Sequence, residues 1–154
     1  MSIAILRREQ FVPRLPEEVF RFFSDAANLQ RITPPYLDFQ ILTQQPIELC
    51  RGALLDYRLK WHGLPLRWRT RILEWNPPQA FVDLQVKGPY KLWRHTHTFT
   101  RENEGTRMTD TVEYELPLGP LGAIAHALMV RKDIEGIFDF RREQIERVFP
   151  TATG

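Results

Sequence analysis

Polar and apolar residues alternate from Ile3 to Val12, where Pro13 stops the run, and this pattern reads as a first strand. Pro16 suits the first turn of a helix, Glu17 and Glu18 follow where the helix dipole favours acids, and Val19, Phe20, Phe22 and Phe23 form its apolar face. Ser24 and Asp25 can cap a second short helix over 26–31, which Pro34 and Pro35 end. From Tyr36 to Leu116 the period falls to two and is broken by Gly and Pro, which predicts an antiparallel meander. Six strands are expected at 38–44, 53–61, 66–75, 80–87, 90–101 and 106–116. Turns are expected at His62-Gly63-Leu64-Pro65, Asn76-Pro77-Pro78-Gln79, Gly88-Pro89 and Asn103-Glu104-Gly105. After Pro120 the helical period returns: Leu121, Ile124, Ala125, Leu128, Ile134, Ile137, Phe138, Ile145 and Val148 predict one long amphipathic helix, ending before Pro150, that covers the sheet. Gly136 inside that helix costs about 1 kcal/mol relative to Ala, which calls for close packing, a bend or room for a bound molecule.

Strand parity sorts the residues into two faces. Leu55, Tyr57, Leu59 and Trp61 share one face with Leu66, Trp68, Thr70 and Ile72. On the sixth strand Trp93, His95, His97 and Phe99 share that apolar side, and hydrophobic matching sets Met108, Asp110, Val112, Tyr114 and Leu116 beside them. Closing the last hairpin on this match brings Asp110 opposite or diagonal to His97. A three-residue loop at Asn103-Glu104-Gly105 would instead set Glu113 opposite His95. The outer side carries Arg58, Lys60, Arg67, Arg69 and Arg71, with Asp56 and Asp83 as nearby acids. A hairpin closed around Gly63-Leu64 would face Arg58 with Arg69 and Lys60 with Arg67. Such a strip is either a solvated face that discourages edge association or a docking surface for a protein or other anionic partner.

Composition narrows the classes. A chain of 154 residues, 43% hydrophobic and 12% aromatic, is expected to form one domain over 1–150 with an unordered tail at 151–154. Such a domain buries roughly 68–70% of its unfolded surface. The net charge of +2, with no RNA-binding motif or loop aromatics beside the basic strip, argues against a nucleic-acid partner. No uncharged apolar run approaches the roughly 20 residues of a membrane span, and the first ten residues lack a signal-peptide core. The lone Cys50 can make no internal disulfide and no cysteine-based metal site. It reads as a small buried hydrophobe in a cytoplasmic protein. Gly-rich phosphate loops, G-x-S-x-G, H-E-x-x-H and dinucleotide fingerprints do not occur, so no cofactor is assigned.

Pro16-Glu17-Glu18-Val19-Phe20-Arg21-Phe22-Phe23-Ser24-Asp25, then Asn28-Leu29 and Thr33-Pro34-Pro35, resembles the N-terminal segment of the SRPBCC superfamily, which includes START, Bet v 1-like and polyketide cyclase/dehydrase proteins. Trp93-x-His95-x-His97-x-Phe99, Gly105-Thr106, Asp110, Tyr114-x-x-Pro117-x-Gly119 and Phe138-x-x-Arg141 are similar to its bacterial ligand-binding branch. The resemblance implies an α+β helix-grip fold, in which a curved antiparallel sheet of about seven strands wraps a long C-terminal helix and two short helices follow strand 1. It also implies an apolar cavity that takes a small hydrophobic ligand such as a lipid, aromatic or polyketide. The expected lining is Tyr57, Leu59, Trp61, Trp68, Trp93, His95, His97, Phe99, Val112, Tyr114, Leu128, Ile134, Phe138 and Arg141.

Within that cavity His97 with Asp110 would form an acid–base pair suited to cyclisation or dehydration of a polyketide-like substrate. Tyr57 and Tyr114 would donate to a ligand carbonyl, and Arg141 would hold an acid group. The alternative is that His95 and His97 are satisfied polar residues that orient a ligand. Their i, i+2 spacing could chelate, but the third ligand would have to come from Asp110 or His126, and no metal is assigned. His62, in a turn, is expected to be solvated.

Overall fold

The computed structural model describes residues 2–151. Of the expected tail, only Thr151 lies within them. The elements run β1 (Ala4–Val12), α1 (Pro16–Ser24), α2 (Asn28–Arg31), a 3-10 turn (Pro35–Leu37), β2 (Gln40–Ile41), β3 (Leu54–Trp61), β4 (Leu64–Asn76), β5 (Ala80–Lys87), β6 (Leu92–Glu102) and β7 (Gly105–Glu115). A continuous C-terminal helix follows: α3 (Gly119–Ala125), a π-helical segment (His126–Val130) and α4 (Arg131–Val148). The strands form one antiparallel sheet in the order β1-β7-β6-β5-β4-β3-β2. This is the helix-grip α+β architecture.

Helix α1 starts on Pro16, carries Glu17 and Glu18 in its first turn and Arg21 in its last, and buries Val19, Phe20 and Phe23. The expected second helix is shorter. Asp25 Oδ1 accepts the Ala27 backbone N–H at 3.0 Å, whereas Ser24 turns back to the Phe20 carbonyl at 2.8 Å. The expected strand 38–44 shrinks to Gln40–Ile41, because Asp38 sits in the left-handed region (φ 45°) and breaks the extended run. Cys50 corrects the expectation of a buried thiol: it is exposed, in the connection before β3.

Turn geometry decides both informative registers. His62 (φ 48°) and Gly63 (φ 81°) form a two-residue turn, so Trp61 pairs with Leu64 and the expected four-residue turn is wrong. Arg69 therefore opposes Asp56 and forks onto it at 2.7 and 3.2 Å, and the like-charged pair is Arg58 with Arg67. Arg58 also bonds Gln40, and Lys60 lies 3.7 Å from Asp38, so much of the basic strip is answered within the chain. In the last hairpin Asn103 (φ 53°) and Glu104 make a two-residue turn, and Glu102 pairs with Gly105. His97 then lies directly opposite Asp110, as the apolar matching requires. A Cβ at Gly105 would come within 2.5 Å of the Val12 carbonyl and the Phe11 ring, so the start of β7 needs glycine.

Two apolar clusters hold the helix to the sheet. One joins Val12, Val19, Phe20, Phe23, Phe81, Phe99, Met108, Ile145 and Phe149, with Phe20 edge-on to Phe81 and Phe99 at 5.8 and 5.4 Å. The other joins Val112, Tyr114, Val130, Ile134 and Phe138. Gly136 is not explained by close packing, since a Cβ there would meet nothing within 4 Å. Gly136→Ala is accordingly expected to stabilise the fold by about 1 kcal/mol and to raise the Tm by about 2–4 °C, read by thermal unfolding.

Candidate functional site

Between the sheet and the C-terminal helix lies a cavity of about 480 Å³, bordered by residues of both clusters. Tyr57, Leu59, Trp61, Trp68, Trp93, His95, His97, Ile134, Phe138 and Arg141 line it. Four expected lining residues lie elsewhere. Phe99 and Val112 are packed solid in the two clusters. Tyr114 is buried with its hydroxyl 2.6 Å from His126 Nε2, so it is not directed to a ligand carbonyl. Leu128 is 75% exposed, as are Leu121 (68%) and Ile124 (57%) on the same helical stripe, so this part of the face expected to cover the sheet is turned largely to solvent.

The cavity also takes lining that strand parity alone does not expose: Phe22, Phe23, Leu29 and Ile32 from the N-terminal helices, Phe39, Phe81 and Tyr90, and above all Asp83. The expectation that Asp83 sits beside the outer basic strip is corrected. It shares its face with the buried Phe81 and pairs across the strands with His95, and so points inward. The signal is the alternation Phe81-x-Asp83, which becomes informative once β5 is set beside β6.

At the polar end of this cavity five side chains interlock. His97 Nε2 lies 2.7 Å from Asp83 Oδ2, and its Nδ1 lies 3.3 Å from Asp110 Oδ1. His95 Nε2 lies 2.8 Å from the same Asp110 oxygen, and Arg141 donates to it at 3.3 Å. The pair expected from sequence, His97 with Asp110, is thus part of a larger network in which His95 holds the shorter bond to Asp110. Arg141, expected to hold a ligand acid group, is committed to Asp110 and lies over the rings of Phe23 and Phe138 at 5.1 and 5.7 Å. Its Nε is buried without a hydrogen-bond partner among the described residues.

Protonation follows from this geometry. Burial alone would lower the pKa of His97, but its bonds to Asp110 and Asp83 and their charges outweigh that and raise it. Both ring nitrogens lie near carboxylate oxygens, which favours an imidazolium, and Arg141 Nη2 also lies 3.5 Å from Nδ1. His95 goes the other way: burial, then the neighbouring charge of His97, bring its pKa down to about 4, and Asp110 offsets only part. Burial would raise Asp110, yet Arg141 and the two imidazoles hold it well below its ordinary value. Asp83 is likewise lowered, with burial overcome by its bond to His97. Near neutral pH His95 is therefore neutral, Asp83 and Asp110 are carboxylates, and the two acids flanking His97 favour its imidazolium form.

Asp83, His95 and His97 also place three potential metal-ligating atoms within 4.8 Å of one another. The two imidazoles lie face to face with centroids 3.6 Å apart, and Phe81 stacks on His97 at 3.9 Å. Lone pairs in the planes of stacked rings run side by side and do not converge, so a chelate would require the rings to turn out of this stack.

The tip of the β3–β4 hairpin has its own polar contact. Trp61 Nε1 donates to Asp133 Oδ2 at 2.8 Å, and His62 Nε2 lies 2.9 Å from the same oxygen, tying the β3–β4 hairpin tip to α4. His62 is half exposed, but it is not merely solvated.

Fold and cavity together define a helix-grip protein of the ligand-binding kind. The sequence profile described as polyketide cyclase / dehydrase and lipid transport matches residues 12–139, and the chain belongs to that family. Solved structures agree on the fold. The protein is similar to TTHA0849 from Thermus thermophilus (23% identity, TM-score 0.64, covering 94% of this chain and 99% of that one). It is also similar to CV1439 from Chromobacterium violaceum (14%, 0.72, 96% and 98%) and to major latex-like protein 151 from Panax ginseng (11%, 0.69, 97% and 99%). A search of curated proteins found no match. Among the described residues no helix is long and apolar enough to cross a membrane.

Proposed function

We propose that this protein binds or carries a small hydrophobic molecule, aromatic or polyketide-like, in its internal cavity in the cytoplasm. The observation that carries this reading is the 480 Å³ space walled by Tyr57, Trp68, Tyr90, Trp93 and Phe138, with Asp83, His95, His97 and Arg141 clustered in its lining. Cavities of this size and lining are typical of small-molecule sites. Native mass spectrometry of protein purified from a lysate is expected to show one apolar molecule per chain, and an environment-sensitive apolar dye is expected to bind. Leu66→Trp, which fills cavity space from β4, should weaken the dye at least about tenfold while the fold persists. Undiminished dye binding in that variant would refute the reading.

A second reading, acid–base catalysis of cyclisation or dehydration, is favoured by one observation. Neutral His95 is oriented by Asp110 through Nε2, which leaves Nδ1 as a lone pair on a residue that lines the cavity. The roles are then redistributed: His97, bridged between two carboxylates, holds a proton, and His95 is the base. A chemically altered molecule recovered from the wild type, and an unaltered one from His95→Gln, would mark this reading over simple carriage.

A further inference from the structure

Within the His–Asp–Arg cluster, the free hydrogen-bonding capacity that faces the cavity is of one kind. Both nitrogens of His97 are taken by Asp83 and Asp110, and Arg141 is taken by Asp110. The unpartnered Arg141 Nε is fully buried, so a molecule in the cavity cannot reach it. Asp83 is different. Only its Oδ2 is engaged among the described residues, and its side chain keeps 18% exposure on a residue that lines the cavity. The cavity therefore presents an acceptor oxygen, with the uncommitted nitrogen of neutral His95 as a second acceptor.

Charge limits the ligand further. Two carboxylates and one guanidinium sum to −1, and a protonated His97 brings the sum to zero, so in either state a ligand carboxylate would bring an uncompensated negative charge into a desolvated, mostly apolar space. An uncharged hydroxyl can donate to Asp83 without disturbing that balance. Trp68, Trp93 and Tyr90 pack edge-on or tilted against one another with centroids within 6 Å, an aromatic lining that suits an aromatic, and so planar, body.

Building on the cavity-binding reading, we propose that Asp83 anchors the ligand by accepting a hydrogen bond from an uncharged phenolic or enolic hydroxyl on a planar body, and that the cavity discriminates against carboxylates. Three probes with one bicyclic body separate the outcomes in dye competition at pH 7: naphthalene, 2-naphthol and 2-naphthoate. For the wild type, 2-naphthol is expected to compete roughly tenfold or more better than naphthalene, as a hydrogen bond to a charged acceptor implies, and 2-naphthoate worse than 2-naphthol. In Asp83→Asn, whose amide can still accept from His97 while turning N–H groups to the cavity, the 2-naphthol advantage should fall to within about threefold of naphthalene. Naphthalene itself should change less than about twofold. Should the variant fail to fold, the wild-type ranking still decides. Binding of 2-naphthoate equal to or tighter than 2-naphthol would overturn the proposal, as would a 2-naphthol advantage that survives in Asp83→Asn. Failure of naphthalene and every other apolar probe to compete would instead remove the cavity-binding reading itself, and this proposal with it.

Discussion

Arg141→Met is expected to lower the stability of the fold by about 3–5 kcal/mol, the usual loss when one partner is removed from a buried ion pair. Arg141 is 7% exposed, and its guanidinium lies 3.3 Å from Asp110, which is 4% exposed. Methionine keeps most of the aliphatic stem but removes the guanidinium that lies over Phe23 and Phe138, so the loss combines the ion pair with these cation–π contacts. Without the guanidinium, Asp110 loses the cation that does most to hold its pKa down and keeps only the two imidazoles as partners for a buried charge. Urea denaturation at neutral pH checks the size of the effect. Asp110→Asn added to Arg141→Met should recover part of the loss, because the stranded charge is then gone. A single-variant loss below about 1 kcal/mol would show that the guanidinium contributes by contact alone.

The second large effect is on pH. His95 has a native pKa of about 4 against an ordinary 6.5, so the unfolded chain takes up a proton that the fold refuses. Its contribution is present above pH 6.5 and is lost as pH falls toward about 4, a drop of up to about 3 kcal/mol at 1.36 kcal/mol per unit. His97 has the opposite sign. Its raised pKa makes a contribution that is complete below 6.5 and is lost as pH rises through its native value. Asp83 and Asp110, both lowered, contribute above 3.8 and lose that contribution only in stronger acid. Stability measured by urea denaturation from about pH 4 to 9 is therefore expected to peak near pH 6.5. His95→Gln should flatten the acid arm and leave the alkaline arm in place. A wild-type profile that is flat between pH 4 and 6.5 would contradict this assignment of protons.

Most of the framework is legible in the sequence because the signals are local. The alternation along 106–116 sets the inward residues of β7, and apolar matching places Asp110 opposite His97 against a competing turn. The first helix is legible from Pro16, the following acids and the phenylalanines. What fails depends on information no short window carries. Asp83 looks like a surface acid until β5 is set beside β6. Leu128 follows the helical period on paper, but the stripe it shares with Leu121 and Ile124 is exposed, and buried apolar side chains resume only at Val130 and Ile134. Tyr114 lies on the expected face, yet its hydroxyl is drawn to His126, a partner supplied by a helix that begins only after the sheet is complete. Within the His–Asp cluster the residue types are legible, whereas the pairing is not, because two carboxylates compete for two stacked rings.

The balance of charge inside the cluster also bears on how it can be inherited. Losing Arg141 or Asp83 alone changes the net charge beneath the helix by one unit, and losing Asp110 alone strands Arg141 and leaves His97 with Asp83 only. Single steps away from the set thus pass through a poorly stable chain, while paired steps do not. Descendants of this protein are expected to keep the five residues as a block or to exchange them together for apolar side chains, with Asp110 and Arg141 changing in the same lineages.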